Sequence, residues 1–460
     1  MNTQRTNLRP MAAMMALGLL LGSIGSAFTL AQGKTTVVFT HVNVIPMDRE
    51  IVLEDMNVVI NEGKIAAIGR ASDVRIPAGA QVVDSSGKYL LPGLMDMHAH
   101  LEDDKCAPLY LVYGVTRVRN MSADGDHYNR RQRIANGTIM GPVMYTAGPA
   151  IMANNPDYQF NVTSAEQARE LVRKCKADGA DWIKTMRMDI DIFYAILDEA
   201  HKQGLPVGGH LPRLSAPILE IYRSGFRSHE HVAEVFTAKY FFDLSPDETK
   251  LKTAAQQIKE TGITISTILH RETIWKRMRE EGDSYLTDAR VAELQKYSGE
   301  QGVKAAREFL ESAKKTDEKA RERTSKIDRN LPFILKIVKA LNDAGVPLVI
   351  GTDSHFFFSF GGISLHKELD LLLEAGLTHY EALRIATYNA AKLLDALDRL
   401  GTISVGKEAD LVLVNNNPLT DIKTLRTPMG VMKQGRWFDR KKLDDMLKDS
   451  TFSSKVKGSA

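Results

Sequence analysis

Two His-x-His pairs stand out among the twelve histidines of this sequence, His98 with His100 and His229 with His231. Because side chains alternate along a β-strand, we expect the two histidines of each pair to point the same way and to share one ion. Two further candidate ligands close other apolar segments, namely His210 and Asp353. Imidazole and carboxylate donors suit Zn²⁺ and also Fe, Mn, Co or Ni. The pattern predicts a catalytic metal site; the alternative is a set of hydrogen-bonded core histidines.

A lysine closes one more apolar segment, ADWIKTM, in which it is Lys184. An inward lysine beside a metal site is desolvated and repelled by the cations, and both effects favour the neutral amine. A neutral amine can add carbon dioxide and become a carbamate, an anion able to bridge two cations. The alternative is an ordinary surface lysine.

Short apolar segments alternate with helical stretches of ten or more residues, which is typical of β-α units and a parallel sheet. Eight such segments are the candidate strands: 93–100, 115–121, 142–148, 181–186, 206–210, 227–232, 263–269 and 347–353. Eight strand–helix units are the number that closes a barrel, and the carboxyl ends of its strands open onto one face. The sequence therefore predicts an α/β fold with a (β/α)8 TIM barrel over 93–399 and the metal site on that face.

Val/Ile-rich runs broken by turn residues lie on both sides of the predicted barrel, over 32–92 and 400–440. Since the ends of a domain often lie close together, these runs predict one small β-sandwich domain. A charged stretch at about 271–330 predicts a helical insertion in the barrel, with a lid over the site as an alternative. Residues 441–460 are expected to be a polar tail.

The amino terminus has the pattern of a secretory signal. Arg5 and Arg9 precede an apolar run over 11–28, and plausible cleavage sites follow at Ala27 and Ala31. This pattern predicts a signal peptide over 1–31 and an exported protein, periplasmic or secreted. A membrane anchor is the alternative, although the run is short for a span of roughly 20 apolar residues.

Composition excludes several classes of protein. With 60 Lys and Arg against 57 Asp and Glu, the net charge is +3, which gives no electrostatic reason to expect nucleic acid or an anionic membrane as partner. A disulfide framework and a finger-type zinc site are excluded by a cysteine count of two without a CxxC motif. We expect a small-molecule substrate and no stable membrane insertion after signal removal, and a homo-oligomer stays open.

Several motifs occur in a fixed order: LPGLMDMHAHL (91–101), GADWIKTM (179–186), VGGH (207–210), SHEHV (228–232) and GTDS (351–354). EGKIAAIG (62–69) precedes them, and the segment 386–418 follows. This ordered set resembles the amidohydrolase superfamily, in particular its imidazolonepropionase-like and prolidase-like branch. The resemblance covers roughly residues 35–438.

The resemblance implies a site with two divalent metal ions, most simply Zn²⁺. By position in the motifs, His98, His100 and Asp353 would bind the more buried ion. The more exposed ion would be bound by His210 and His231. A carboxylated Lys184 would bridge the two ions. His229 replaces a usually apolar residue, and it would support a ligand or contact the substrate.

The implied chemistry is hydrolysis by a metal-bridging hydroxide, with Asp353 as the catalytic group that accepts the proton. No GxSxG nucleophile motif is present. We therefore expect an exported metal-dependent amidohydrolase that cleaves the amide or peptide bond of a dipeptide or an N-acyl amino acid. One alternative is an esterase, lactonase or organophosphate hydrolase with the same metals, and another is a non-catalytic binding protein on the barrel scaffold.

Four residues are candidates for contacts with the substrate: Tyr158, Arg187, His229 and His355. Arg187 is a candidate clamp for a substrate carboxylate, because a guanidinium pairs with carboxylates in a bidentate way. The aromatic segment 355–360, HFFFSF, follows the eighth predicted strand. Our hypothesis is that this segment lines an apolar subsite for bulky acyl groups.

Overall fold

The computed structural model describes residues 36–123, 125–155, 160–213, 217–237, 248–315, 331–355 and 358–450. The predicted signal peptide and Tyr158 lie outside these ranges. Within them, none of the helices combines the length and the apolar character that a membrane span requires.

Five strands come first in the described chain: β1 (Val37–Val44), β2 (Leu53–Asn61), β3 (Lys64–Arg70), β4 (Gln81–Asp84) and β5 (Tyr89–Pro92). Strands and helices then alternate: β6 (Leu94–Ala99), α1 (Ala107–Val112), β7 (Val115–Asn120), α2 (Gly125–Ala135), β8 (Val143–Thr146), β9 (Met152–Ala153), β10 (Asn161–Val162), α3 (Ala165–Ala177), β11 (Ile183–Thr185), α4 (Ile190–Lys202), β12 (Val207–Gly209), α5 (Ile218–Arg223), β13 (Ser228–His229), α6 (Val232–Thr237), α7 (Glu248–Lys259) and β14 (Thr264–Ser266). The remaining elements are α8 (Leu269–Glu281), α9 (Asp288–Lys315), α10 (Leu331–Ala344), β15 (Leu348–Val349), α11 (Ile363–Glu374), α12 (His379–Ala386), α13 (Tyr388–Leu393), β16 (Leu411–Val414), β17 (Gly430–Lys433), β18 (Arg436–Asp439) and α14 (Arg440–Asp449).

Each of the eight predicted strand segments contains an observed strand, and the α/β class is confirmed. Parallel pairing joins β6-β7-β8 in one sheet and β11-β12-β13-β14-β15 in another. Two parallel bridges connect the sheets on their two sides, Ala147 with Trp182 and Ala99 with Ser354. The strands end at the same edge, and this edge carries the predicted metal ligands.

Burial explains why these segments form strands and helices. Every residue of β6 and β7 is buried, as expected for parallel strands that are covered on both faces. Helix α3 instead buries only Ala168, Val172 and Cys175, which lie on one side at helical spacing. The same helix begins after Ser164, whose side chain accepts a hydrogen bond from the backbone N–H of Gln167. The helices thus cover the sheets with one apolar face each.

Strands from the two predicted β segments pair in one sheet, in the order β18-β17-β16-β5-β1-β2-β3, with β4 beside β1. The junction is the antiparallel pair β16–β5, in which Val412 faces Leu91. Phe39 of β1 packs against Trp437 of β18 with ring centroids 5.0 Å apart. Apolar packing therefore links the first and the last strand of the described chain.

The charged insertion is helical in its described part, which contains α8, a 3₁₀ turn over Gly282–Tyr285 and α9. Gly299 interrupts α9 with a φ of 64°, a left-handed conformation that favours glycine. Helix α9 buries Leu294 and Leu310 beside Phe358 and Phe360, which follow β15. The insertion is thus anchored next to the site.

Residues 440–449 correct the expected polar tail, since they form helix α14. Asp439 caps this helix by accepting a hydrogen bond from the backbone N–H of Lys442. Leu443 and Met446 are buried, and both belong to the main hydrophobic core. Two apolar residues at a spacing of three were too short a pattern to indicate this helix in a charged segment.

Candidate metal centre

Three predicted ligands meet at the strand ends. One side-chain atom each of His98, His100 and Asp353 lies within 4.8 Å of the others. Oδ1 of Asp353 is 3.0 Å from Nε2 of His100 and 3.5 Å from Nε2 of His98. The backbone brings them together, because the N–H of Met97 donates to the carbonyl of Ile350 at 2.7 Å. This His-His-Asp cluster joins the first and the eighth predicted strands.

A glycine permits this close approach of β6 and β15. A Cβ on Gly351 would meet the side chain of Ser266 and lie 2.5 Å from the Cβ of His98. No ordinary side chain fits there without a shift of the backbone. In the GTDS motif, therefore, the glycine allows the two strands to pack closely, and Asp353 is a member of the His-His-Asp cluster.

Lys184 on β11 is buried, and its Nζ lies 3.2 Å from Nε2 of His98. The structure thus places it beside the cluster and not on the surface. Burial lowers the pKa of its amine to about 8, while the negative charges of Asp353 and Glu230 oppose this effect. A substantial fraction of the amine is neutral near pH 8, which is the form that can add carbon dioxide.

His210 and His231 extend the cluster on its other side. Their rings stack with centroids 4.9 Å apart and an interplanar angle of 16°. The ring of His231 is also 5.2 Å from that of His98. All five predicted ligand side chains and Lys184 therefore lie in one continuous group at the strand ends.

The second His-x-His pair does not behave as expected for a strand. Strand β13 ends at His229, and His231 has a φ of 64°, so strand alternation does not reach it. His229 is fully buried, with Nδ1 2.7 Å from the hydroxyl of Tyr222 and Nε2 3.5 Å from Oε2 of Glu234. Because both ring nitrogens of His229 face protein groups, the geometry favours support of a neighbouring ligand over an ion shared with His231 or contact with substrate.

Two carboxylates that we did not predict orient the histidines. Oε2 of Glu230 is 2.8 Å from Nδ1 of His98, and Oε1 of Glu234 is 2.8 Å from Nδ1 of His210. A carboxylate at Nδ1 fixes the tautomer and turns Nε2 toward the centre, as in known metal sites. Glu230 lies inside the SHEHV motif, between the two histidines, and that position was the available signal.

Arg119 is the ionic partner of Glu230. It is fully buried on β7, and its Nη2 donates to Oε1 of Glu230 at 2.7 Å. Its guanidinium lies over the ring of Trp182, 4.6 Å from the centroid. Burial alone would raise the pKa of Glu230, but Arg119 and His98 outweigh it and hold that pKa well below its usual range. Glu230 therefore remains a carboxylate.

Asp96 stabilises the base of the cluster. It accepts hydrogen bonds from the backbone N–H groups of His98 and Thr352, at 3.2 and 3.1 Å, and from the Thr352 hydroxyl at 2.6 Å. Burial raises the pKa of Asp96 to about 7. Because these bonds join β6 to the loop that carries Asp353, they fix the two cluster strands relative to each other.

Arg271 of α8 also reaches the cluster. Its Nε is 2.9 Å from Oδ2 of Asp353, and its Nη1 is 3.0 Å from Nδ1 of His231. Burial opposes ionisation of Asp353, but Arg271 and the hydrogen bond of His100 outweigh it and hold the pKa of Asp353 well below its usual range. This arginine lies in the charged insertion and belongs to none of the motifs, so no residue pattern pointed to it.

Two other predicted substrate contacts, Arg187 and His355, are not members of the His-His-Asp cluster. Arg187 is 71% exposed, with Nη2 3.6 Å from Oε1 of Glu234. His355 lies with its ring centroid 6.1 Å from that of Tyr110, and burial lowers its pKa to about 4. Among the described residues, neither ring nitrogen of His355 has a hydrogen-bond partner. Its contact with substrate stays a prediction.

The aromatic segment does not line an apolar subsite with its described members. Phe358 packs edge-on against Tyr285 at 5.1 Å, and Phe360 lies 5.0 Å from Tyr297. Both phenylalanines are buried. Our hypothesis is wrong for these two residues, because they are core contacts of the helical insertion. Phe356 and Phe357 lie outside the described residues.

The donor set fits a divalent cation. The cluster offers two imidazole nitrogens and a carboxylate oxygen, a combination typical of catalytic zinc and related metals. Its carboxylate is ionised, and burial lowers the pKa of His98 to about 3, so the imidazole is neutral and able to bind metal. Metal binding therefore requires no costly deprotonation at His98 or Asp353.

An α/β protein with such a cluster at the carboxyl ends of parallel strands has the organisation of a metal-dependent enzyme. The chain belongs to the amidohydrolase family, whose sequence profile matches residues 89–438. It is a hydrolase acting on carbon–nitrogen bonds, and the predicted superfamily is confirmed, while the branch within it stays a prediction. The alternative of a non-catalytic binding protein is thereby overturned.

Known proteins with similar sequence or structure agree with this family. The ochratoxinase of Aspergillus niger is 24% identical over 470 aligned positions, which cover 87% of this chain and 85% of that enzyme. The structure of a Xaa-Pro dipeptidase with bound methionine has a TM-score of 0.68 and 21% identity, covering 88% of this chain and 100% of that chain. Bottromycin amidohydrolase has a TM-score of 0.67 and 22% identity, covering 90% of each chain.

Proposed function

We propose that this protein is an exported, binuclear, zinc-dependent amidohydrolase that cleaves the amide bond of N-acyl amino acids or dipeptides. The observation that carries the proposal is the buried Lys184 amine, 3.2 Å from the predicted ligand His98. A lysine in this place supports a carbamate bridge between two ions, since an unmodified ammonium would repel them. The dipeptidase and amidohydrolase structures that share the fold support an amide as the scissile bond.

Within the proposal, His98, His100 and Asp353 would hold one ion, His210 and His231 would hold the other, and Lys184, once carboxylated, would contribute its carbamate to both. When bound, two divalent cations lower the pKa of a water molecule between them and polarise the scissile carbonyl.

The protein's own groups supply the remaining steps. Asp353 accepts the proton of the attacking water and then passes it to the nitrogen of the leaving amine. Glu230 and Glu234 keep the imidazoles of His98 and His210 in the orientation that presents Nε2. Burial of Lys184, His98 and Glu230 excludes bulk water from the back of the site, which strengthens the electrostatic interactions there.

The arrangement of the strands is a second part of the proposal. We propose that the eight parallel strands form a closed (β/α)8 barrel and that the sheet built from both chain ends belongs to a β-sandwich domain. The bridges at Ala147–Trp182 and Ala99–Ser354 support closure, because they connect both sides of the two parallel sheets. A crystal structure with continuous pairing around the eight strands tests this part.

Export is a separate proposal that rests on the pattern of residues 1–31. Expression of the full chain in a bacterial host followed by intact mass analysis of the periplasmic fraction tests it. We expect a product shortened by cleavage near Ala27 or Ala31. An uncut chain retained in the membrane fraction supports an anchor instead.

A substrate panel on zinc-reconstituted protein tests the activity. The panel contains dipeptides, N-acyl amino acids, lactones and aryl phosphotriesters, and the chelated protein is the control. We expect kcat/KM to be highest for an N-acyl amino acid or a dipeptide, and activity to disappear on chelation. Faster turnover of lactones or phosphotriesters than of any amide contradicts the proposal and favours the ester-cleaving alternative.

A further inference from the structure

Arg271 is a residue of the site that lies in none of the sequence motifs. It is near the start of α8, shortly after the seventh strand of the predicted barrel, and its side chain is 18% exposed. Its guanidinium contacts Asp353 at 2.9 Å and His231 at 3.0 Å, two predicted ligands from different strands. A cation that touches both sides of the cluster is placed to contact whatever binds there.

The helical insertion fixes the orientation of this guanidinium. Trp275 lies four residues further along α8, and its ring centroid is 4.0 Å from Cζ of Arg271. The same indole packs against Phe309 of α9 with ring centroids 5.8 Å apart. Helices α8 and α9 thus hold a planar donor group at the edge of the cluster.

We propose that Arg271 binds the free carboxylate of the substrate, so that the enzyme selects N-acyl amino acids over amides that lack the acid. This inference rests on the proposed function. In an N-acyl amino acid the carboxyl carbon is two bonds from the scissile nitrogen. A side chain that recognises it must therefore lie beside the cluster. Arg271 contacts predicted ligands directly, whereas the 71% exposed Arg187 reaches Glu234, which in turn contacts a ligand.

Charge balance supports the same assignment. In this structure Nε of Arg271 lies 2.9 Å from Oδ2 of Asp353, a residue of the His-His-Asp cluster, and its Nη1 lies 3.9 Å from Oε1 of Glu272. A cation bound to Asp353 shares its negative charge, so the partly buried guanidinium gains from a second carboxylate. The existing ion pair already brings a carboxylate oxygen to 2.9 Å from Nε of Arg271.

Two substrates that differ only in the acid test the inference: N-acetyl-L-phenylalanine and N-acetyl-2-phenylethylamine. For the zinc-loaded protein, we expect R271M to lower kcat/KM for the first by about 100-fold and for the second by less than about 3-fold. R277M is the matched control, because Arg277 lies on the same helix but pairs with Glu281 at 2.7 Å. Equal losses for both substrates in R271M overturn the inference.

A binding measurement separates this inference from the proposed function. Calorimetry with L-phenylalanine and with 2-phenylethylamine requires no turnover. We expect the wild-type protein to bind the amino acid at least about 10-fold more tightly and R271M to lose that preference. If the wild type hydrolyses neither amide yet shows this preference, the proposed function fails and the inference stands. If the wild type binds the two compounds equally, the inference fails.

Metal loss in R271M would imitate the predicted effect, so zinc content is measured by mass spectrometry in every variant. R271K keeps the charge but not the planar fork, and W275L releases the guanidinium from its indole. Both are expected to weaken the binding of L-phenylalanine with unchanged zinc content. Wild-type affinity in both variants contradicts a role for the oriented guanidinium.

Discussion

Oε2 of Glu230 lies 2.8 Å from Nδ1 of His98, and both side chains are fully buried. This contact leaves Nε2 of His98 directed toward Lys184 and Asp353, at 3.2 and 3.5 Å. Because the pair is excluded from water, turning the imidazole would cost the buried hydrogen bond between Nδ1 of His98 and Oε2 of Glu230. The orientation of this ligand is thus fixed before any metal binds.

Glu230→Gln tests this positioning. We expect zinc affinity to fall about 10- to 100-fold, because the amide no longer holds the imidazole as a carboxylate does. Competition with a fluorescent chelator measures the affinity. Glu220→Gln is the control, since Glu220 is exposed on α5. Affinity within twofold of wild type in E230Q would contradict the role of this carboxylate.

Arg119→Met tests the buried ion pair behind the site. Removing the cation leaves Glu230 uncompensated, so we expect the free energy of unfolding to fall by about 3–5 kcal/mol. Urea denaturation of the metal-free protein measures the change. Arg213→Met, which breaks the exposed pair with Asp189, should lower the free energy of unfolding far less. Similar losses in the two variants would show that burial of the pair is unimportant.

Lys184→Ala tests the bridge. We expect zinc content to fall from two ions per chain to one or none and kcat to fall at least about 100-fold. Added acetate should restore part of both, because its carboxylate can occupy the place of the carbamate. Lys202→Ala, at the exposed end of α4, should change neither quantity. Two tightly bound ions in K184A would exclude Lys184 as a bridging ligand.

The buried Glu368 predicts how the stability of the protein changes with pH. Burial raises its pKa to about 7 from an ordinary 4.5, although hydrogen bonds from the N–H of His270 and the hydroxyl of Thr267 oppose the shift. Between these pH values the folded chain retains a proton that the unfolded chain releases, so stability falls as pH rises through that window. Glu368→Gln cannot ionise and avoids this loss.

Thermal unfolding of E368Q and wild type from pH 5 to pH 8 checks this sign. The stability of E368Q relative to wild type should rise with pH, by an amount on the order of 2 kcal/mol. Glu374→Gln, at the exposed end of the same helix, should show no such trend. A constant difference for E368Q across the range would contradict the raised pKa.

The eight strand segments and the cluster were predictable because each depends on local sequence. The segments are apolar and short, and the ligands sit at their ends, so topology alone brings His98 near Asp353. The prediction that His229 and His231 point the same way was wrong, and the reason is local. Strand β13 stops at His229, and the backbone of His231 turns into a left-handed conformation that no residue pattern indicated.

The site residues that the sequence did not predict have roles set by partners that are distant in the sequence. Arg119 meets Glu230 across 111 positions, and His98 meets Glu230 across 132. Arg271 lies in a segment whose alternating charges indicate only a solvated helix. Phe358 and Phe360 were wrongly assigned to a substrate subsite. An apolar run near a site is equally compatible with core packing, which is what the structure shows for these two residues.

The central claim is that one pair of divalent ions, held by the histidines, Lys184 and Asp353, makes this chain an amide hydrolase. Zinc titration of the chelated protein, with hydrolysis of an N-acyl amino acid followed at each step, tests it most directly. We expect activity to appear only as zinc is added and to reach a plateau at two ions per chain. Full activity in the metal-free protein, or a plateau at one ion per chain or fewer, would contradict the claim.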